Sequence, residues 1–216
     1  MLIIPIYRYA EVIFDLDGVL VDTNDVKRRN IRAASAFLGD DIAERFTAFF
    51  ISHNGITRER KIDAWFHEPD AQTVLEQYNA LNAATLEAGA VLPGALDLLR
   101  QLQARKVPAH IFTGGDELEA IRLCRAKGLL ELVAGIHGGP ASKAENFAAG
   151  CHRTPILYFG DSPFDYEWAK ARQFDFVFVA GATQFTDWPA FFQEHPIRGQ
   201  VNYLDEIRLI DEEKQP

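Results

Sequence analysis

Residues 12–23 read VIFDLDGVLVDT, and the fold class turns on how that stretch is parsed. Val12, Ile13 and Phe14 are β-branched or aromatic, the composition of a short buried strand. Asp15, Asp17 and Gly18 then break the run, so the strand stops on two carboxylates and a turn. A strand that delivers acid groups at its carboxyl end is the pattern of an open α/β sheet, where ligands bind outside the strand ends.

Outward from this stretch the texture changes twice. From Asp22 to Ala90 apolar residues recur at spacings near three and four, in Ile31–Leu38, Ile42–Ile51, Ile62–Phe66 and Val74–Leu86, which predicts helices. After Leu92-Pro93-Gly94 strands and helices alternate. Leu96–Leu102 reads as a helix, Val107–Phe112 as a strand, and Leu118–Lys127 as a helix stopped by Gly128. Leu132–Ile136 reads as a weaker strand and Ala144–Gly150 as a helix. Ile156–Phe159 and Phe176–Ala180 read as strands around a helix over Phe164–Arg172. The alternation implies a parallel sheet with helices on both faces. Residues 22–90 are then an all-helical insertion into a core made of 1–21 and 91–216, and 211–216 is expected to fray. Asp22 is expected to cap the way into the insertion.

The bulk composition removes several function classes. The chain has 216 residues, 48% of them hydrophobic, with 16 phenylalanines, so a core can form. A net charge of −9 and the lack of a basic stripe argue against a nucleic-acid partner. No stretch is long and apolar enough for a bilayer, and MLIIPIYRYAE lacks a basic region and a cleavage site, so neither a membrane nor a secretory role is expected. Two isolated cysteines, Cys124 and Cys151, fit a reducing cytoplasm. The six histidines show no paired metal spacing, which argues against a zinc site. GGPASK is not a Walker A loop.

Chemistry-bearing side chains fall at the ends of the expected strands. They are Asp15 and Asp17 after the first, Thr113 and Gly114 after Ile111-Phe112, Lys143 at a helix start, and Asp161 and Asp165 after Leu157-Tyr158-Phe159-Gly160. Carboxylates suit Mg²⁺, a carboxylate can attack phosphorus, and a hydroxyl, an amide N–H and an ammonium can hold phosphoryl oxygens. Taken singly, Thr113 serves equally well as a turn or helix-capping residue, and Lys143 as a solvated surface lysine.

Together the segments resemble the haloacid dehalogenase-like superfamily. VIFDLDGVLVDT resembles its D-x-D-G-x-x-x-D-[ST] motif, IFTGG at 111–115 its second motif, Lys143 its third, and FGDSPFD at 159–165 its G-D-S-x-x-D motif. The helical insertion is similar to that family's helical cap. The resemblance implies a Rossmann-like parallel sheet flanked by helices, with Asp15 as nucleophile and Mg²⁺ ligand. It implies that Asp17 is the acid/base, with its backbone carbonyl on the metal. Thr113, Gly114 and Lys143 would bind phosphate, and Asp161 and Asp165 would complete the metal site. Asn54-Gly55-Ile56-Thr57-Arg58 resembles a cap turn of beta-phosphoglucomutase-like members, where the arginine meets a distal substrate group. An exposed basic turn is the competing reading. Two features depart from many members: Gly114 stands where Asn is common, and Lys143 is not followed by Pro. The resemblance thus implies no particular substrate.

The expected activity is Mg²⁺-dependent hydrolysis of a small phosphate monoester, of sugar phosphate or phosphoglycolate type, through an aspartyl-phosphate. A beta-phosphoglucomutase-like phosphomutase uses the same residues and is the alternative. A catalytically silent binding module is the rival from another class.

Overall fold

A computed structural model describes residues 1–53 and 56–211. Asn54 and Gly55 of the expected cap turn, and 212–216 of the expected frayed tail, lie outside the described residues. The chain opens with strand β1 (Leu2–Pro5) and β2 (Glu11–Phe14), then the two-residue β3 (Val21–Asp22). Helices α1 (Asn24–Ser35), α2 (Asp40–Ser52), α3 (Arg58–Trp65) and α4 (Asp70–Thr85) follow, and β4 (Ala90–Val91) closes the segment. Then come α5 (Ala95–Ala104), β5 (Ala109–Asp116), α6 (Glu117–Ala126), β6 (Gly135–Gly139), α7 (Lys143–Ala149) and β7 (Ile156–Gly160). The remainder is α8 (Pro163–Ala171), β8 (Asp175–Val179), α9 (Trp188–Glu194), β9 (Gly199–Val201) and β10 (Ile207–Ile210).

Six strands form one all-parallel sheet in the order β6-β5-β2-β7-β8-β9. The order places β2 between β5 and β7, so the two segments that carry Thr113 and Asp161 flank the one that carries Asp15. Side chains alternate between the two faces, as the pleat requires. Val12, Phe14, Leu157, Phe159, Val177 and Val179 enter one core with α5 and α6. Ile13, Phe112, Tyr158, Phe176 and Phe178 enter a second, aromatic core with α8 and α9. Phe14 stacks on Phe159 at 4.9 Å, which ties the central strands together beneath the strand ends.

The helices α1 to α4 bury an apolar cluster of their own, centred on Ile31, Phe46, Ile62, Val74 and Tyr78. The antiparallel pair β3–β4 holds the two ends of this segment side by side, Val21 opposite Val91 and Asp22 opposite Ala90. Asp22 therefore belongs to a ladder and does not cap α1. Thr23 takes the N-cap position instead, and its hydroxyl is directed to Asp17.

Two further differences from the sequence pattern have simple causes. The strand expected over Leu132–Ile136 starts at Gly135, because Leu130–Leu132 make a 3₁₀ turn whose side chains pack on the first core. Strands β1 and β10, which pair with each other in parallel, carry too few residues for a periodic signal.

Candidate active site

Most candidate groups stand next to the end of an element; Thr113 and Gly114 instead lie within β5, which runs through a bulge to Asp116, past the strand end expected at Phe112. β2 stops at Phe14, and the amide of Asp15 still donates to the Phe159 carbonyl at 2.8 Å. The chain then doubles back at Gly18, whose N–H donates to the Val21 carbonyl at 2.9 Å. Gly18 has φ of +79°, and a Cβ there would lie 2.3 Å from Asp161 Oδ2, so only glycine lets this turn sit against the neighbouring acid. β5 carries a bulge between Phe112 and Asp116, where Thr113 Oγ1 accepts from the Gly115 amide at 3.0 Å.

Lys143 is the first residue of α7. Ser142 and Glu145 form a reciprocal capping box there, with Ser142 Oγ accepting from the Glu145 amide at 3.2 Å and the Glu145 carboxylate from the Ser142 amide at 2.7 Å. In G-D-S-P-F-D, Ser162 is the N-cap of α8, Pro163 starts the helix, and Asp165 stands on its first turn. Sequence-local caps thus aim the ammonium and the carboxylate at one mouth.

There the side chains form a tight cluster. Asp15, Asp161 and Asp165 place one carboxylate oxygen each within 4.8 Å of one another, and all three residues are buried. The ammonium of Lys143 is 1% exposed and donates to Asp15 Oδ1 at 2.6 Å, Asp165 Oδ1 at 2.7 Å and Tyr158 Oη at 2.8 Å. All three of its protons are therefore used. Tyr158 in turn donates to Asp165, as does Ser162. Asn24 Nδ2 donates to Asp161 Oδ2 at 3.3 Å.

Asp17 lies across the mouth. It accepts from Thr23, from Lys27 Nζ at 2.5 Å and weakly from Thr113 Oγ1 at 3.4 Å. The structure thus brings Asp15, Asp17, Thr113, Gly114, Lys143, Asp161 and Asp165 to one region, six of them on direct contacts and Gly114 on the wall of the cleft.

The charges are unevenly matched. Burial pushes the Asp15 carboxyl up to about 7, against the pull of Lys143, with Asp165 and Asp17 adding to the rise. Burial also pushes Asp161 well above its ordinary range, and Asp15, Asp165 and Asp17 push the same way. Asp17 falls below its ordinary value, because Lys27 and Thr23 outweigh the effect of burial. Three oxygen donors crowded together beside a single ammonium repel one another unless a cation stands among them. An all-oxygen set of this kind fits a hard divalent ion rather than a soft one.

The cleft opens to solvent and has walls from both parts of the chain. Asp15, Asp161 and Gly114 line one side, and Lys27, Arg58, Lys61 and Tyr78 line the other. Arg58 and Lys61 share a buried face of α3. Both Nη atoms of Arg58 donate to the Glu119 carboxylate on α6, and Nη1 also donates to Asn79 Oδ1 at 2.6 Å. Thr57 stands at the N-cap of α3, but its hydroxyl makes no capping bond. Lys61 donates only to the Phe50 carbonyl, at 3.2 Å, among the described residues.

Several members of the site were not legible as such. Lys27 belongs to the basic run Lys27-Arg28-Arg29 and is one helical turn inside α1, a position that faces Asp17 only once the chain folds back at Gly18. Tyr158 sits in an apolar strand and reads as core. Asn24 follows the motif directly and carries a signal only as a polar residue at a helix start.

Comparison with known proteins agrees with this geometry. No curated protein matches the chain by sequence. Among solved structures, a haloacid dehalogenase-like family hydrolase from Streptococcus pneumoniae superposes with a TM-score of 0.68 at 19% identity, covering 91% of this chain and 95% of that one. A predicted phosphoglycolate phosphatase from Haemophilus somnus gives 0.72 at 15% identity, with coverage of 92% and 96%. CbbY from Rhodobacter sphaeroides, solved with phosphate, gives 0.67 at 17% identity, again with 92% and 96%. These likenesses speak for the fold. The family model of haloacid dehalogenase-like hydrolases matches residues 11–171, a span that runs from the start of β2 to the end of α8 and takes in every carboxylate of the cluster; the chain belongs to that family.

Proposed function

We propose that the protein is a Mg²⁺-dependent phosphatase that hydrolyses a small phosphate monoester through an aspartyl-phosphate on Asp15. The observation that carries this reading is the meeting of Asp15, Asp161 and Asp165 within 4.8 Å beside a fully committed Lys143. In this reading Asp15 supplies the attacking oxygen, and Lys143 holds it in place through the 2.6 Å contact. Asp15, Asp161, Asp165 and the backbone carbonyl of Asp17 are the groups that would hold Mg²⁺. When bound, the ion neutralises charge on the transferring phosphoryl group. Thr113 Oγ1 and the amide of Gly114 hold phosphoryl oxygens as negative charge develops. Asp17 gives a proton to the leaving oxygen and later takes one from the attacking water; the Lys27 contact favours its ionised form and so assists the second step, and it has to loosen for the first.

The helical segment 22–90 acts as a cap over the core formed by 1–21 and 91–216, and its closure excludes water from the cleft. The likeness to a predicted phosphoglycolate phosphatase supports a small acidic phosphate as substrate. In that reading Arg58 meets a distal anion of the substrate, which takes over the fork now held by Glu119. Arg58→Ala is then expected to cost roughly 2–3 kcal/mol in kcat/KM on such a substrate. It should cost almost nothing on p-nitrophenyl phosphate, which has no distal anion.

The test is phosphate release from a panel of phosphorylated metabolites, with wild type beside Asp15→Asn. The substitution keeps the shape of the side chain and removes the nucleophile, so turnover should fall by ~10³-fold or more while thermal melting is retained. Turnover within tenfold of wild type would overturn the assignment.

A further inference from the structure

A second cluster of metal-type side chains lies at the opposite end of the central strand. Glu11 is the first residue of β2, four residues before Asp15, so about 13 Å of strand separates the two at ~3.3 Å per residue. Glu11 Oε2 accepts from His152 Nδ1 at 2.8 Å and stands 3.9 Å from His110 Nε2 on β5. One ligand atom from each of these three residues falls within 4.8 Å of the others. The remaining ring nitrogen of His110, Nδ1, meets His137 Nε2 on β6 at 3.4 Å.

The cluster is built in. The side chains of Glu11 and His152 are only 4% and 5% exposed. His152 stacks flat on Phe147 at 4.4 Å, and His137 lies on Phe112 at 4.4 Å, so the rings cannot turn freely. Gly135 makes room for them, since a Cβ there would lie 2.9 Å from His137 Nε2 and 3.2 Å from His110 Nδ1. His152 Nε2 is buried without a hydrogen-bond partner, so Nδ1 holds the ring in place, and it offers a lone pair to an ion once its proton has moved to Nε2. The cationic side chain nearest to Glu11 is Arg153, 3.9 Å away, and it is 73% exposed.

We propose that Glu11, His110 and His152 bind a divalent transition metal of zinc type, with His137 as the outer partner that fixes the tautomer of His110. A proton on His110 Nδ1 directed at His137 leaves the lone pair of Nε2 facing the Glu11 carboxylate across a gap too long for a hydrogen bond. A cation between them meets that lone pair and the charge of Glu11, whose Oε1 also accepts from the Arg153 amide at 2.9 Å. Tetrahedral zinc with N and O ligands at about 2.0–2.2 Å places its ligand atoms roughly 3.3 Å apart, and the observed 2.8 and 3.9 Å bracket that spacing. Two imidazoles and one carboxylate leave one coordination position to water. The set also selects against Mg²⁺, which prefers oxygen throughout. The ligands come from positions 11, 110 and 152, on three separate segments, so spacing along the sequence does not reveal them. The ion ties β2, β5 and the loop before β7 together.

Zn²⁺ binding is to be measured by calorimetry on the full chain with Mg²⁺ at saturation, so that the acidic cluster is already filled. One equivalent of Zn²⁺ is expected for wild type and for Asp161→Asn. His110→Asn and Glu11→Gln should weaken binding at least tenfold and abolish the Zn²⁺-dependent rise in Tm. His137→Phe should weaken it by roughly 10–100-fold, as loss of an outer partner does. Absence of an Mg²⁺-resistant equivalent in wild type would overturn the proposal, as would binding lost in Asp161→Asn but kept in His110→Asn. Should the histidine variants fail to fold, wild-type imidazole nitrogen spectra decide. Shifts at His110 and His152 on adding one equivalent of Zn²⁺ support the site, and unmoved signals refute it.

Discussion

Lys61 has no carboxylate partner among the described residues. It is buried among Phe50, Arg58 and Tyr78, it lines the cleft, and its ammonium lies 3.6 Å from the Phe50 ring. Burial, with Lys27 and Arg58 nearby, pulls its pKa down from 10.5 to about 7. Below pH 7 the folded chain keeps a buried ammonium that the unfolded chain would hydrate, so the full destabilisation is present there. Between pH 7 and 10.5 the unfolded lysine holds a proton that the folded one has released, so stability rises with pH. Lys61→Met should therefore stabilise the protein by a few kcal/mol at pH 6, on the order set by about 1.4 kcal/mol per pKa unit. The advantage should shrink towards nothing by pH 10. Urea denaturation across that range checks it, and a pH-independent difference would show that Lys61 is already neutral or paired. At this scale the sequence was a partial guide. Arg58 and Lys61 stand three residues apart, the spacing of one helical face, but periodicity carries no information about what that face packs against.

At the scale of elements, two contacts link the α3 segment and the α7 segment to the site. The Arg58–Glu119 pair joins α3 to α6, with side chains 5% and 10% exposed. Removing one partner of such a buried pair typically costs about 3–5 kcal/mol. Glu119→Gln is thus expected to speed amide hydrogen exchange in α3 by ~10²-fold or more, while α5 stays as protected as before. Unchanged exchange in α3 would show that apolar packing alone holds the helix down. The capping box Ser142/Glu145 makes the second link, because it sets the direction in which Lys143 leaves α7. Ser142→Ala should lower stability by ~1 kcal/mol. It should also lower kcat roughly tenfold or more through displacement of the ammonium, an effect that a merely stabilising cap would not produce. The elements themselves were largely legible. Val12–Phe14, Ile156–Phe159 and Phe176–Ala180 announce strands by composition, and the insertion's helices by apolar spacing. β1, β3, β9 and β10, of two to four residues each, were not, because a run that short has no period.

For the molecule as a whole, the crowded acids at one mouth predict a metal requirement. Phosphate release should vanish after chelation and return with Mg²⁺. Ca²⁺ should inhibit, since it accepts more oxygens at longer distance and can draw both Asp15 oxygens to itself. Full activity in chelator would exclude a metal-assisted mechanism. The net charge of −9 repels anionic substrates at long range, so affinity should depend on the local cations Lys27 and Arg58 rather than on steering. The parallel pairing of β1 with β10 has a further consequence, in the time domain of synthesis. Leu2 pairs with Ile207, about 205 positions later, which at ~5–20 residues per second takes a ribosome roughly 10–40 s to translate. For most of that interval the Leu2-Ile3-Ile4-Pro5 strand is outside the exit tunnel without its native neighbour, an open edge available to any other nascent chain.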